Sequence, residues 1–160
     1  MKNLIVLIIT VLMSSTLFAA GGDGGGSSDA SLYDEAVKLV KRAGNLERKE
    51  KLDKAKKLYS QAFTKLEKAY KKDTNNPDIL NYMGFTSRKI GNFDVAEKFY
   101  LQGLNIKPNH NGINEYLGEL YVVTNRIDLA KERLNVLESC NCEEYDELKE
   151  IIAGTKKSKY

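Results

Sequence analysis

The sequence predicts an all-α fold: a stack of antiparallel helix-turn-helix repeats closed by a C-terminal capping helix. Three observations carry this. One turn motif occurs three times: Lys51-Leu52-Asp53-Lys54-Ala55 with Tyr59 after it, Asn92-Phe93-Asp94-Val95-Ala96 with Tyr100, and Arg126-Ile127-Asp128-Leu129-Ala130 with Leu134. Ala96 and Ala130 stand 34 positions apart (130 − 96), and a fixed period of that length marks stacked units, none of which buries its apolar face alone. Between the turns, apolar residues recur at helical spacing and no alternating strand pattern appears.

At the N-terminus, Lys2 precedes the apolar run Leu4 to Met13, followed by Ser14, Ser15, Thr16 and the small residues Ala19 and Ala20. This is the order of a secretory signal peptide, expected over residues 1–20 with cleavage after Ala19 or Ala20. The uninterrupted run falls short of the ~20 residues that span a bilayer, so membrane contact is expected only through this segment if it stays uncleaved. No cysteine follows the run to accept a lipid. The expected location is periplasmic or secreted. Residues 21–28 (GGDGGGSS) read as a flexible linker. The repeat domain then spans 29–153, with units at about 31–76, 77–110 and 111–142, a capping helix at 143–153 and a basic tail at 154–160.

The first unit is the longest. Its turn stands 41 residues before the second (96 − 55), which places seven extra residues in its second helix. Leu58, Ala62, Leu66, Ala69 and Tyr70 carry the apolar stripe through the insertion, so it reads as helix rather than loop. Its partner helix is elongated to match, putting Leu32 and Tyr33 beside Leu66, Ala69 and Tyr70. In the second unit Leu80, Met83, Gly84 and Ser87 share one helix face, and Gly91-Asn92 ends that helix. Ala96, Phe99, Tyr100, Gly103 and Leu104 form the next stripe, which Pro108 stops. Leu117, Gly118 and Tyr121, then Ala130, Leu134 and Leu137, repeat the scheme in the third unit. Gly84 and Gly118 are expected to let two helix backbones approach closely, at a helix-propensity cost near 1 kcal/mol. The cap carries Tyr145, Leu148, Ile151 and Ile152 at helical spacing, with Glu143-Glu144 at its start and lysines beyond its end to complement its dipole. The tail lysines Lys156, Lys157 and Lys159 read as a solvated end.

Leu80-x2-Met83-Gly84-x2-Ser87, Ala96-x3-Tyr100 and Pro108, with Asn114-x2-Leu117-Gly118-x2-Tyr121 and Ala130-x3-Leu134, resemble the tetratricopeptide repeat (TPR) pattern W-x2-L-G-x2-Y, A-x3-F, P. The match runs from Ala36 to about Cys142. Leu80 and Asn114 replace the opening aromatic, Ser87 the second-unit tyrosine and Cys142 the closing proline. The resemblance implies a right-handed superhelical α-solenoid and a non-enzymatic scaffold for protein interaction. It also implies that Asn81, Phe85, Arg88 and Lys89, with Glu115, Glu119, Val122 and Val123, line a concave groove. Phe85 is the expected anchor, an exposed aromatic beside Arg88. The Lys and Asn clamp by which some relatives grip a C-terminal carboxylate is not evident, with Tyr82 and Val40 where polar groups would be needed.

Charge narrows the partner. Without Lys2 the chain carries 24 basic against 22 acidic residues, a balance that argues against nucleic acid, which needs a concentrated basic surface. A protein or peptide is expected, and no cofactor or metal. Catalysis has little to stand on. His110, the single histidine, sits in the inter-unit turn Pro108-Asn109-His110-Asn111, where polar residues commonly cap the following helix. No nucleophile, base and orienting group share a motif.

Cys140-Asn141-Cys142 is the one chemically pointed feature. An oxidising compartment ranks a local disulfide first, ahead of idle thiols, a Cu(I) site or redox exchange. Two function classes follow. One is an envelope adaptor that binds a peptide or helix of another protein in its concave groove. The other is a redox or metal-handling accessory, for example in metalloprotein assembly, working through Cys140 and Cys142.

Overall fold

The computed structural model describes residues 29–158, with side chains from 32 onward. The signal segment and the linker lie outside the described residues. Among those described, the chain forms seven helices and no strand: α1 Asp29–Glu47, α2 Leu52–Tyr70, α3 Pro77–Lys89, α4 Phe93–Ile106, α5 Asn111–Val123, α6 Ile127–Leu137 and α7 Glu143–Ile152. Successive helices pack in pairs, α1 on α2, α3 on α4 and α5 on α6, and α7 lies against α5 and α6. Leu148 and Ile151 of α7 are buried there and cover the last apolar face. Both helices of the first pair run to 19 residues, while the later four run from 11 to 14. The insertion in the first unit is therefore continuous helix.

The three motif turns share one backbone device. Glu50, Gly91 and Asn125, each two residues before the next helix, have φ of 56°, 95° and 59°. At each, two backbone bonds close the end of the preceding helix: Glu50 N–H to Glu47 O (2.8 Å) and Lys51 N–H to Leu46 O (2.9 Å) in the first, with equivalents at Gly91-Asn92 and Asn125-Arg126. Paired bonds of this kind satisfy the last helical carbonyls and require a left-handed residue. Glycine adopts that conformation freely and asparagine tolerates it, whereas Glu50 does so at a cost of roughly 1 to 2 kcal/mol.

Helix starts are capped between units. The Asn76 side chain accepts from the N–H groups of Asp78 (3.0 Å) and Ile79 (3.2 Å), and Pro77 opens α3. His110 plays the same part for α5, its Nδ1 accepting from Ile113 N–H at 3.2 Å.

The cores are built from small and aromatic residues together. Ala36 and Ala43 of α1 meet Ala55, Tyr59, Ala62, Leu66 and Ala69 of α2, and a second cluster joins Tyr100, Ile113, Leu117, Leu120 and Ala130. The glycines make room for side chains of the facing helix, not for its backbone. A Cβ on Gly84 would lie 2.4 Å from the Tyr100 ring, and one on Gly118 would lie 2.5 Å from Leu148.

Leu32 and Tyr33 pack on the cluster that holds Leu66 and Ala69, so one expectation is extended and one, the solvated tail, needs correction. Tyr33 takes its ring partner from α3: it sits edge-on to Tyr82 with centroids 5.6 Å apart, while the Tyr70 hydroxyl accepts from Gln102 of α4. The long first hairpin thus leans its extra turns on the second pair. The basic tail, read as solvated, folds back. Lys156 Nζ lies 2.8 Å from Glu147 Oε1, and the Ser158 hydroxyl bonds Glu119 Oε2 on α5 at 2.6 Å.

Candidate functional site

Stacking the pairs sets α1, α3 and α5 side by side around a groove with a cavity of about 1130 Å³. Of the eight residues that the sequence places there, Phe85, Arg88, Lys89 and Val123 line it. Asn81, Glu115 and Glu119 are buried between helices instead. Val122 is half-buried against the second core. These four are corrected from groove lining to packing positions, because other helices of the stack cover them.

Phe85, expected as an exposed anchor, is only 9% exposed. Its ring lies among Tyr116 (5.1 Å between centroids), Tyr59 (5.9 Å) and Tyr82 (6.4 Å). It is the aromatic keystone of the groove floor. Arg88 beside it is fully shielded. One guanidinium nitrogen lies 3.2 Å from Glu119 Oε2 with both side chains at 0% exposure, and the other donates to Tyr116 O at 3.0 Å. Two charges desolvated this completely hold their places only as a pair.

At the next residue, the Lys89 ammonium lies 2.6 Å from Glu47 Oε2 of α1 and 5.2 Å from the Tyr59 ring centre. The Tyr59 hydroxyl donates to the same carboxylate oxygen at 2.9 Å. Burial holds Lys89 below the ordinary lysine range, and the nearby Glu47 carboxylate works against that shift. Burial first, then the Glu47 bond, pushes the Tyr59 hydroxyl well above the ordinary tyrosine range. The floor of the groove is therefore a fixed polar and aromatic network tying α1, α2, α3 and α5 together.

The rim is different. Leu52, Phe93 and Val123 line the cavity with 65%, 42% and 42% of their surface in solvent. Sequence reading named Val123 alone among them. A signal for the other two exists: Leu52, Phe93 and Ile127 each stand immediately before the motif aspartate, a position no helix stripe needs. Val40, expected to displace a polar clamp, lies on the wall, where Lys41 and Arg48 add exposed cations.

Elsewhere the chemistry is structural. Because His110 Nδ1 accepts from Ile113 N–H, its Nε2 carries the proton and donates to Asp78 Oδ1 at 3.0 Å. Cys140 and Cys142 form a disulfide in the loop between α6 and α7, with Asn141 left-handed between them (φ 52°). Neither cysteine lines the groove. Among the described residues no group of three metal-ligating side chains comes together, and no helix is long and apolar enough to cross a membrane.

No protein-family model matches the sequence. No curated protein matches it either. Solved structures do. The type III secretion translocator chaperone SycD of Yersinia enterocolitica, in an alternative dimer, superimposes with a TM-score of 0.54 at 17% identity, covering 76% of this chain and 88% of that one. The same chaperone in complex with a peptide of the translocator YopD gives 0.53 at 17% identity over 76% and 88%. A tetratricopeptide repeat protein from Parabacteroides merdae gives 0.52 at 15% identity over 76% of this chain and 61% of that one. Identities this low speak for the fold alone, and they agree with the repeated turns, the paired helices and the glycine contacts: this chain has the tetratricopeptide-repeat fold.

Proposed function

We propose that the protein is a non-enzymatic interaction scaffold that binds an extended peptide or a helix of another protein in the groove between α1, α3 and α5. The exposed apolar rim carries this reading. Leu52, Phe93 and Val123 surround a preformed cavity whose floor is already locked by the Arg88–Glu119 and Lys89–Glu47 pairs. A rigid floor spares most of the ordering cost of binding, and exposed apolar groups around a concavity supply the driving force. SycD, of the same fold, is found with a peptide of its translocator, which supports a peptide-binding role here. The signal-like N-terminus supports a site of action in the periplasm or outside the cell. The cysteine pair fits a clasp before α7 better than a redox or metal-handling centre, since a client seated in the groove would not meet it.

The test is retention of partner from the protein's own envelope extract on immobilised full chain. Leu52→Glu with Val123→Glu should cut retention by roughly tenfold, about 1.4 kcal/mol, with the melting temperature nearly unchanged. Val136→Glu, an exposed position away from the groove, should leave retention intact. Equal loss in both variants, or loss in neither, overturns the groove reading.

A further inference from the structure

Beyond α7, residues 154–158 fold back on the domain. Gly154 turns the chain with φ of 72°, and the N–H groups of Thr155 (3.0 Å) and Lys156 (3.3 Å) both bond Glu150 O. Lys156 then reaches Glu147 at 2.8 Å and Glu150 at 3.8 Å. This brings Ser158 to the groove, where it lines the cavity and donates its hydroxyl to Glu119 Oε2. That oxygen is the one that faces Arg88, and the other carboxylate oxygen, Oε1, has no partner among the described residues. Ser158 therefore covers the Glu119 side of this buried ion pair where the chain meets the cavity.

We propose that residues 155–158 are an internal competitor for the groove. Ser158 latches the segment on Glu119 and closes that end of the cavity in the free protein, and a partner fills the groove fully only after the latch releases. This rests on the reading of the groove as a binding site. The latch is a single hydroxyl bond supported by the Lys156 contacts to Glu147 and Glu150, so it holds the segment in place yet yields to a ligand with more contacts. A closed fraction of the free protein weakens apparent affinity in proportion to the open fraction remaining.

The full chain tests this with two measurements on wild type, Ser158→Ala and Ser158→Asp. Alanine removes the hydroxyl, and aspartate sets a second carboxylate against Glu119. Backbone amide relaxation should show 155–158 ordered in the wild type, looser in Ser158→Ala and freely mobile in Ser158→Asp, with amide shifts moving at Arg88, Glu119 and Val123. A segment already mobile in the wild type overturns the proposal. The second measurement uses anilinonaphthalene sulfonate, whose apolar rings and anion suit the rim and the cations Lys41 and Arg48. Its affinity should rise by roughly threefold or more from wild type to Ser158→Asp, and by less in Ser158→Ala. Unchanged affinity, or no binding in any variant, overturns the competitor role. Adding Leu52→Glu and Val123→Glu to Ser158→Asp should abolish dye binding. Tightening that survives those changes places the dye elsewhere and sinks the groove reading, separately from the relaxation result on the latch.

Discussion

Helix α3 has two faces that obey different rules. One face, Leu80, Met83, Gly84 and Ser87, is the periodic stripe: Gly84 meets Tyr100 and Leu80 lies beside Gly103 of α4, its neighbour in sequence, while Met83 joins the core of the first pair. The other, Asn81, Phe85, Arg88 and Lys89, reads as surface on a helical wheel, yet three of its members are buried and the fourth has its ammonium in an ion pair. Its partners come from far away: Arg88 meets Glu119 across 31 residues, and Ser158 meets the same carboxylate across 39. A periodic stripe reports what a helix does to its hairpin partner. Burial of the opposite face comes from packing between pairs, which no single stripe encodes.

This contrast can be broken at each face. The largest effect should come from Arg88→Ala, which strands a buried Glu119 charge and should cost about 3 to 5 kcal/mol in denaturant unfolding. Arg88→Met with Glu119→Leu should recover most of that loss. A cost under ~1 kcal/mol for the single change would return this face to ordinary solvated surface.

On the opposite face, Gly84→Ala puts a methyl group against the Tyr100 ring. Overpacking of this kind should cost about 1 to 3 kcal/mol despite the better helix propensity of alanine. A stabilised variant would show that the α3–α4 seam has slack.

A smaller effect draws on both faces at once. Burial raises the hydroxyls of Tyr100 on the seam and of Tyr59 and Tyr116 on the groove above their ordinary range. In the unfolded chain these groups ionise near pH ~10, and in the folded one only at higher pH. Their contribution is therefore intact below about pH 10 and is lost as pH rises beyond it. Lys89, held low by burial, acts in the opposite sense, since it disfavours the fold while charged in the unfolded chain. Unfolding free energy followed by chemical denaturation should fall above about pH 10, and less steeply in Tyr59→Phe or Tyr100→Phe. A flat profile would mean that these rings are open to water in solution.

The repeat turns, the helix stripes, the long first hairpin and the helix-capping place of His110 were all legible because each depends on residues near one another in sequence; that Gly84 and Gly118 make room for side chains of a facing helix, and not for its backbone, was not. Four of the eight expected groove residues do line the cavity, since positions off the packed stripe of a first helix must face its neighbours in the stack. Their burial was not legible, nor was the ring contact of Tyr33 with Tyr82, because both depend on how pairs rest on one another. The fold-back of Ser158 was hidden by composition: three lysines in six residues read as a solvated end, while its serine and the buried glutamate that receives it stand in different units. Leu52 and Phe93 were in plain view at a fixed motif position. They went unread because an exposed apolar residue has no period to announce it.

The claim that matters most is that the groove rim, and not the outer surface, meets a partner. Photo-crosslinking tests it directly, with benzoylphenylalanine placed at Val123 on the rim or at Val136 outside it, in the full chain exposed to its own envelope extract. A discrete adduct from position 123, absent from position 136 and suppressed by Leu52→Glu, is the predicted result. Equal labelling from both positions, or an adduct from 136 alone, would contradict the account.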